Sequence, residues 1–207
     1  MCGAVEVVRL TVAPVGRRGH AGPVATTTTR PARVAGTLAI GAAVAVALGV
    51  YGRLHQPTFR PITTLGFPDL VSMKVWLGSV AGLLALVQLV SALRLFGHLG
   101  SGPAPSWLGT FHRVSGGLAV LVSLPVAYHC LWALGFQYDQ PRVLVHSLAG
   151  CIFYGAFVAK VLTLHSHMPR WALPVLGGLT FTALVVVVLT SAVWFLTTVG
   201  LPGGATY

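Results

Sequence analysis

Five histidines stand at or close to the ends of long apolar runs: His112, His129, His146, His165 and His167. An ionisable side chain is costly in hydrocarbon, so a histidine within a membrane span faces the bundle interior and is a functional candidate. His129 lies six residues before the end of the third apolar run, and His146 about four residues into the fourth from the same side. At 1.5 Å per residue, both sit roughly 5–9 Å below one membrane boundary. Their helices are expected to be antiparallel neighbours, so the two imidazoles can face one another at one depth. His112 with His165 or His167 repeats the arrangement at the opposite end. Two levels, each with one imidazole from each of two adjacent helices, suit a pair of bis-histidine b-type haems. The macrocycle is flat and apolar and slots between helices, and its iron takes an axial imidazole from either side.

The spacings separate the two levels. His112 to His129 is 17 residues, and His146 to His165 is 19. At about 100° per residue each pair ends about 100° apart around its helix, and His146 to His167 about 60° apart. The His129–His146 level is therefore the stronger haem site, and His112, His165 and His167 form the weaker one. Arg113 and Lys160 could meet the propionates of an inner haem, and Arg142 those of an outer haem. The plainer readings are that Lys160 snorkels to the interface and that the histidines are interfacial polar groups or helix–helix hydrogen bonders. Gln88, Tyr128 and Tyr154 are further polar groups within spans, suited to helix–helix contacts or to a quinone. His20, His55 and His98 fall in the tail or in loops and are read as solvated. Cys130 and Cys151 read as small apolar core residues, with a disulfide between them a minor alternative.

These side chains are positioned by an all-α integral membrane protein, a bundle of five transmembrane helices preceded by a disordered N-terminal tail. The chain of 207 residues is 55 % hydrophobic and 8 % charged, against about 25 % charged in soluble domains. Apolar runs at about 34–52, 75–93, 114–135, 143–164 and 171–198 each reach the ~20 residues that cross ~30 Å of hydrocarbon. Residues 1–32 form the tail, 33–200 the bundle and 201–207 a short terminal segment. The connections after the third and fourth runs are six or seven residues long, which predicts that spans three, four and five pack side by side in sequence order. Arg9, Arg17, Arg18, Arg30, Arg33, Arg94, Arg113 and Arg170 fall on one side. Arg53, Arg60, Lys74 and Arg142 fall on the other. Eight against four places the N-terminus in the cytoplasm and the C-terminus outside the cell membrane.

The run His112-Arg113-Val114-Ser115-Gly116, followed by His129, His146-Ser147-Leu148-Ala149-Gly150 and His165, resembles the ferric-reductase-like and dihaem cytochrome b membrane proteins over residues 112–167. The chain is also similar to an uncharacterised membrane family of high-GC bacteria, which implies no chemistry. The first resemblance implies one or two b haems between spans three and four. With no soluble flavin or nucleotide domain in the sequence, it further implies an oxidoreductase's membrane subunit with a redox partner protein and, as a further candidate, a quinone. The alternative is a non-redox accessory subunit, or a small transporter, in which the histidines only pack or bind protons. Three acids against 13 basic residues disfavour a transporter built on buried carboxylates. The net charge of +10 sits at helix flanks, as attraction to anionic lipid requires, and does not form the aromatic-interleaved patch of a nucleic-acid binder. No phosphate loop, Ser-His-Asp set, HExxH or paired carboxylate is present, so no hydrolase or phosphoryl-transfer site is expected.

Overall fold

The computed structural model describes residues 31–166 and 168–202. The expected tail falls almost entirely outside the described residues. The described chain is all helical: α1 (Pro31–Leu54), α2 (Leu70–Leu95), α3 (Leu108–His129), α4 (Pro141–Leu164), α5 (Ala172–Val188) and a short α6 (Trp194–Thr198). α3 runs on into a π-helical turn, Cys130–Leu134, and a second one, Leu189–Val193, joins α5 to α6. Counting those continuations, five helices are long and apolar enough to cross a membrane. Large apolar side chains such as Val46, Leu83, Val114 and Leu121 stay more than 60 % exposed, as suits a bundle whose solvent is hydrocarbon.

Local chemistry sets the helix ends. α2 starts at Leu70, not near Val75, because the Asp69 carboxylate caps it, accepting from the Ser72 N–H at 2.8 Å and the Ser72 hydroxyl at 2.7 Å. α3 starts six residues before the expected Val114, where the Leu108 N–H bonds the Pro105 carbonyl at 3.0 Å. His112 consequently sits inside the helix, one turn past its start. Pro141 opens α4, where a missing N–H costs nothing and a fixed φ favours the first turn. Gly135, at φ 69°, ends the α3 continuation in a conformation that favours glycine.

The expected order of packing is corrected. α4 lies along both α5 and α1, α2 lies along α3 and α5, and α3 and α4 share no extended contact among the described residues. The helices therefore close a ring in the order α1, α4, α5, α2, α3. The six-residue connection makes α3 and α4 antiparallel without pressing them together, because the end of α1 wedges between them. There the Phe136 N–H bonds the Gly52 carbonyl at 2.7 Å, and the Thr58 and Phe59 N–H groups bond the carbonyls of Trp132 and Ala133. A side chain at Gly52 would meet Leu131 at 2.9 Å. α1 and α4 cross with backbones nearly touching, since a Cβ on Gly41 would lie 2.6 Å from the Gly155 carbonyl. Ala81, Ala85, Phe153, Ala183 and Leu184 form the core where α2, α4 and α5 meet.

Candidate functional site

The ring of helices encloses a chamber between α3 and α4, lined by residues from all five long helices. Its volume is about 100 Å³, behind a wall of 20 residues. This slot is smaller than the pockets of about 300–1,000 Å³ that hold cofactors, so a macrocycle would enter it only with the walls drawn apart. Along α3 and its continuation the lining runs from Ser123 through Val126, Ala127 and Cys130 to Leu131, which spans about 12 Å at 1.5 Å per residue. The facing wall on α4 carries His146, Ser147, Gly150, Cys151, Phe153 and Tyr154. The Ser123 and Tyr154 hydroxyls bond across the slot at 2.8 Å. Both π-helical turns border it, through Cys130 and Leu131 on one side and Ser191 on the other. Such turns recur at functional sites, because the extra residue re-aims side chains and frees backbone carbonyls.

Four of the histidines share one arrangement, with Nδ1 at a hydrogen-bond partner. His146 Nδ1 lies 3.1 Å from the Thr190 hydroxyl oxygen, whose own proton is donated to the Val186 carbonyl at 2.6 Å. His112 Nδ1 stands 2.7 Å from the Ser91 hydroxyl, which donates to the Val87 carbonyl at 2.7 Å. His129 and His165 place Nδ1 against the carbonyls of Pro125, at 2.8 Å, and Val161, at 3.1 Å. A carbonyl cannot donate. In all four residues Nδ1 is the nitrogen engaged by the protein, which orients the ring as the second partner of a ligating histidine does.

Their placement separates them. His146 lines the slot, whereas His129 does not. His129 is 1 % exposed and its Nε2 has no partner among the described residues. It stands on the same helix as the slot-facing Cys130, one residue and 100° away. Cys130 lines the same slot as His146, from the α3 side. Cys130 and Cys151 are both free and both line the slot. At the other end of the bundle, His112 is half-buried and close enough to Lys160 for their charges to interact. His165 is exposed at the C-cap of α4, and His167 lies outside the described residues. Among the described residues no three His, Cys, Asp or Glu side chains converge as a set for a bare metal ion.

The other candidates find specific partners. Arg142 donates to the Thr190 carbonyl at 2.6 Å and lies 3.7 Å over the Trp194 ring. It fastens α4 to the π-helical turn beyond α5. Arg113 is exposed and bonds Thr110 on its own helix. Gln88 clamps α2 to α3 through the His112 carbonyl at 2.8 Å and the Ser115 hydroxyl at 2.7 Å. His55 is not solvated: it is half-buried, stacked between Tyr51 at 5.2 Å and Trp132 at 4.6 Å, with a buried Nε2 lacking a partner among the described residues. Trp132 continues the stack to Tyr128, which meets His129 edge-on. Sequence reasoning missed Thr190, although Thr190-Ser191 is the hydroxyl pair that interrupts the apolar run from Ala183 to Leu189.

No curated protein and no solved structure matches the chain. A family model does match, over residues 34–203, which takes in all five long helices and the whole slot. The chain belongs to that family, described as "Family of unknown function (DUF6529)".

Proposed function

We propose that this chain is the membrane subunit of an electron-transfer system, holding a b-type haem in the slot between α3 and α4 with His146 as its axial ligand. The observation that carries the reading is the His146 imidazole on the wall of a largely apolar slot, its Nδ1 held 3.1 Å from the Thr190 hydroxyl. That contact orients the ring and leaves Nε2 as the nitrogen to meet an iron, as an axial ligand requires. When bound, the haem supplies one-electron chemistry. The chain's own residues hold the imidazole, exclude water with Val126, Leu131, Phe153 and Leu184, and keep α3 off α4 by the wedge of α1. The basic asymmetry of the sequence supports a cell-membrane orientation with a cytoplasmic N-terminus, and electron transfer calls for a redox partner protein outside the chain.

Haem content per chain, measured as the pyridine haemochrome of purified protein, tests the reading. His146→Ala is expected to lose the haem, and His129→Ala to keep it. Protein purified without haem from a haem-replete host, or a full complement in His146→Ala, would sink the assignment. A variant series in which His129→Ala and His146→Ala both lose it would restore the bis-histidine arrangement of the sequence reading.

A further inference from the structure

The end of the bundle opposite the slot holds cations and, among the described residues, no carboxylate to meet them. The two described acids, Asp69 and Asp139, both stand at the slot end, ahead of α2 and α4. Arg33, Arg94, Arg113, Lys160 and Arg170 stand at the opposite one. Arg94 donates to the carbonyls of Ser101, Gly102 and Pro103, and Arg113 bonds Thr110. Arg33 and Arg170 are exposed beside helix ends. Lys160 differs from all four. It is half-buried inside α4, and its ammonium finds neither a hydrogen-bond acceptor nor a carboxylate among the described residues. His112 stands near it on α3, close enough for their charges to interact. A gap in the ring of helices lies at the same level. α1 leans on α4 and α3 on α2, while α1 and α3 share no extended contact apart from the π-helical turn at the slot end. Away from that turn both helices carry exposed apolar side chains, Leu38 and Ile40 on α1 and Phe111, Val114 and Leu118 on α3. We propose that a phospholipid of net negative charge occupies this gap, its phosphate at Lys160 beside His112 and its acyl chains laid along α1 and α3.

An ammonium within a span is costly unless an anion meets it. The chain supplies none at this end among the described residues, so the anion comes from the surroundings. The gap opens sideways to hydrocarbon between apolar walls, which suits acyl chains and gives a water-soluble anion nothing to hold. Depth agrees. Lys160 lies four residues from the end of α4, about 6 Å of helix, and its four-carbon stem carries the charge to the level of lipid phosphates. The surrounding charge sets the class of headgroup. A zwitterionic lipid would bring its own cation into a cluster of cations, whereas an anionic one is drawn to such a cluster. The Ser123–Tyr154 hydrogen bond stands between this site and the outer part of the slot, and the proposal does not depend on a haem.

The test combines native mass spectrometry of the detergent-purified protein with melting curves of delipidated protein titrated with micelles containing phosphatidylglycerol or phosphatidylcholine. One phosphatidylglycerol is expected to stay on the unaltered chain and on Lys160→Arg. It should raise the melting temperature where phosphatidylcholine does not. Lys160→Gln should weaken retention about fivefold or more, while Lys74→Gln, at the slot end, leaves it unchanged. Equal retention in Lys160→Gln, equal response to the two lipids, or the same shift from inorganic phosphate alone would each overturn the proposal. So would an equal loss in Lys160→Gln and Lys74→Gln, which would reduce the effect to net charge, or a haem-sized adduct lost from Lys160→Gln in place of a lipid. Should Lys160→Gln fail to fold, the response of the unaltered chain to the two lipids decides.

Discussion

Asp69 is the side chain on which the start of α2 depends. Hydrogen bonds from the Ser72 hydroxyl and N–H hold its carboxyl below the ordinary carboxylate value. The folded pKa is depressed, so the cap contributes stability above the unfolded carboxylate pKa and loses it as pH falls through the folded one. Asp69→Ala is therefore expected to lower the melting temperature in detergent at neutral pH, with the difference from the unaltered protein closing in acid. An equal difference at both pH values would assign the effect to something other than the carboxylate. At this scale the sequence was legible in part. The polar groups that matter were found because hydrocarbon makes each one conspicuous. What they face was not legible: His129 and Cys130 are adjacent in sequence, and a rotation of 100° decides which of them lines the slot with His146.

The glycines separate packing from cavity at the scale of the helix. Gly155 lies against the Gly41 carbonyl, whereas Gly150, one turn earlier on α4, lines the slot with nothing within 4 Å of its Cβ position. Gly155→Leu is expected to push α1 off α4 at a cost of roughly 1–3 kcal/mol or more. Gly150→Leu should instead leave thermal stability close to that of the unaltered chain while filling the slot and lowering haem content. Melting curves and pyridine haemochromes of the two variants check both statements, and an unstable Gly150→Leu or an undisturbed Gly155→Leu would contradict them. All five spans were legible from the lengths of the apolar runs. Their ends were not, because Asp69 and the Leu108–Pro105 turn recruit residues that composition assigns to loops. The π-helical turns were equally hidden, since an extra residue per turn leaves no mark on an apolar stretch.

For the molecule as a whole, short connections predicted the direction of each helix but not its neighbours. α4 and α5 do pair, while the place expected for α3 beside α4 is taken by the end of α1. The distribution of arginine and lysine, eight against four, is the basis of the proposed sidedness. Reporter fusions should place the N-terminus in the cytoplasm and Tyr207 outside, and both termini on one side would contradict five crossings. The pairing of α1 with α4 also bears on how the protein is made. From Pro31 to Pro141 are 110 residues, and at 5–20 residues per second roughly 5 to 20 s of synthesis separate the emergence of the two helices. During that interval α1 has left the ribosome with its glycine face, Gly41 included, open to lipid or to the insertion machinery. The α2–α3 hairpin closes on itself in the meantime through Gln88. Assembly of the ring therefore waits on the fourth helix, and a chain cut short after α3 would hold a finished hairpin and a stranded first span, a natural substrate for membrane quality control.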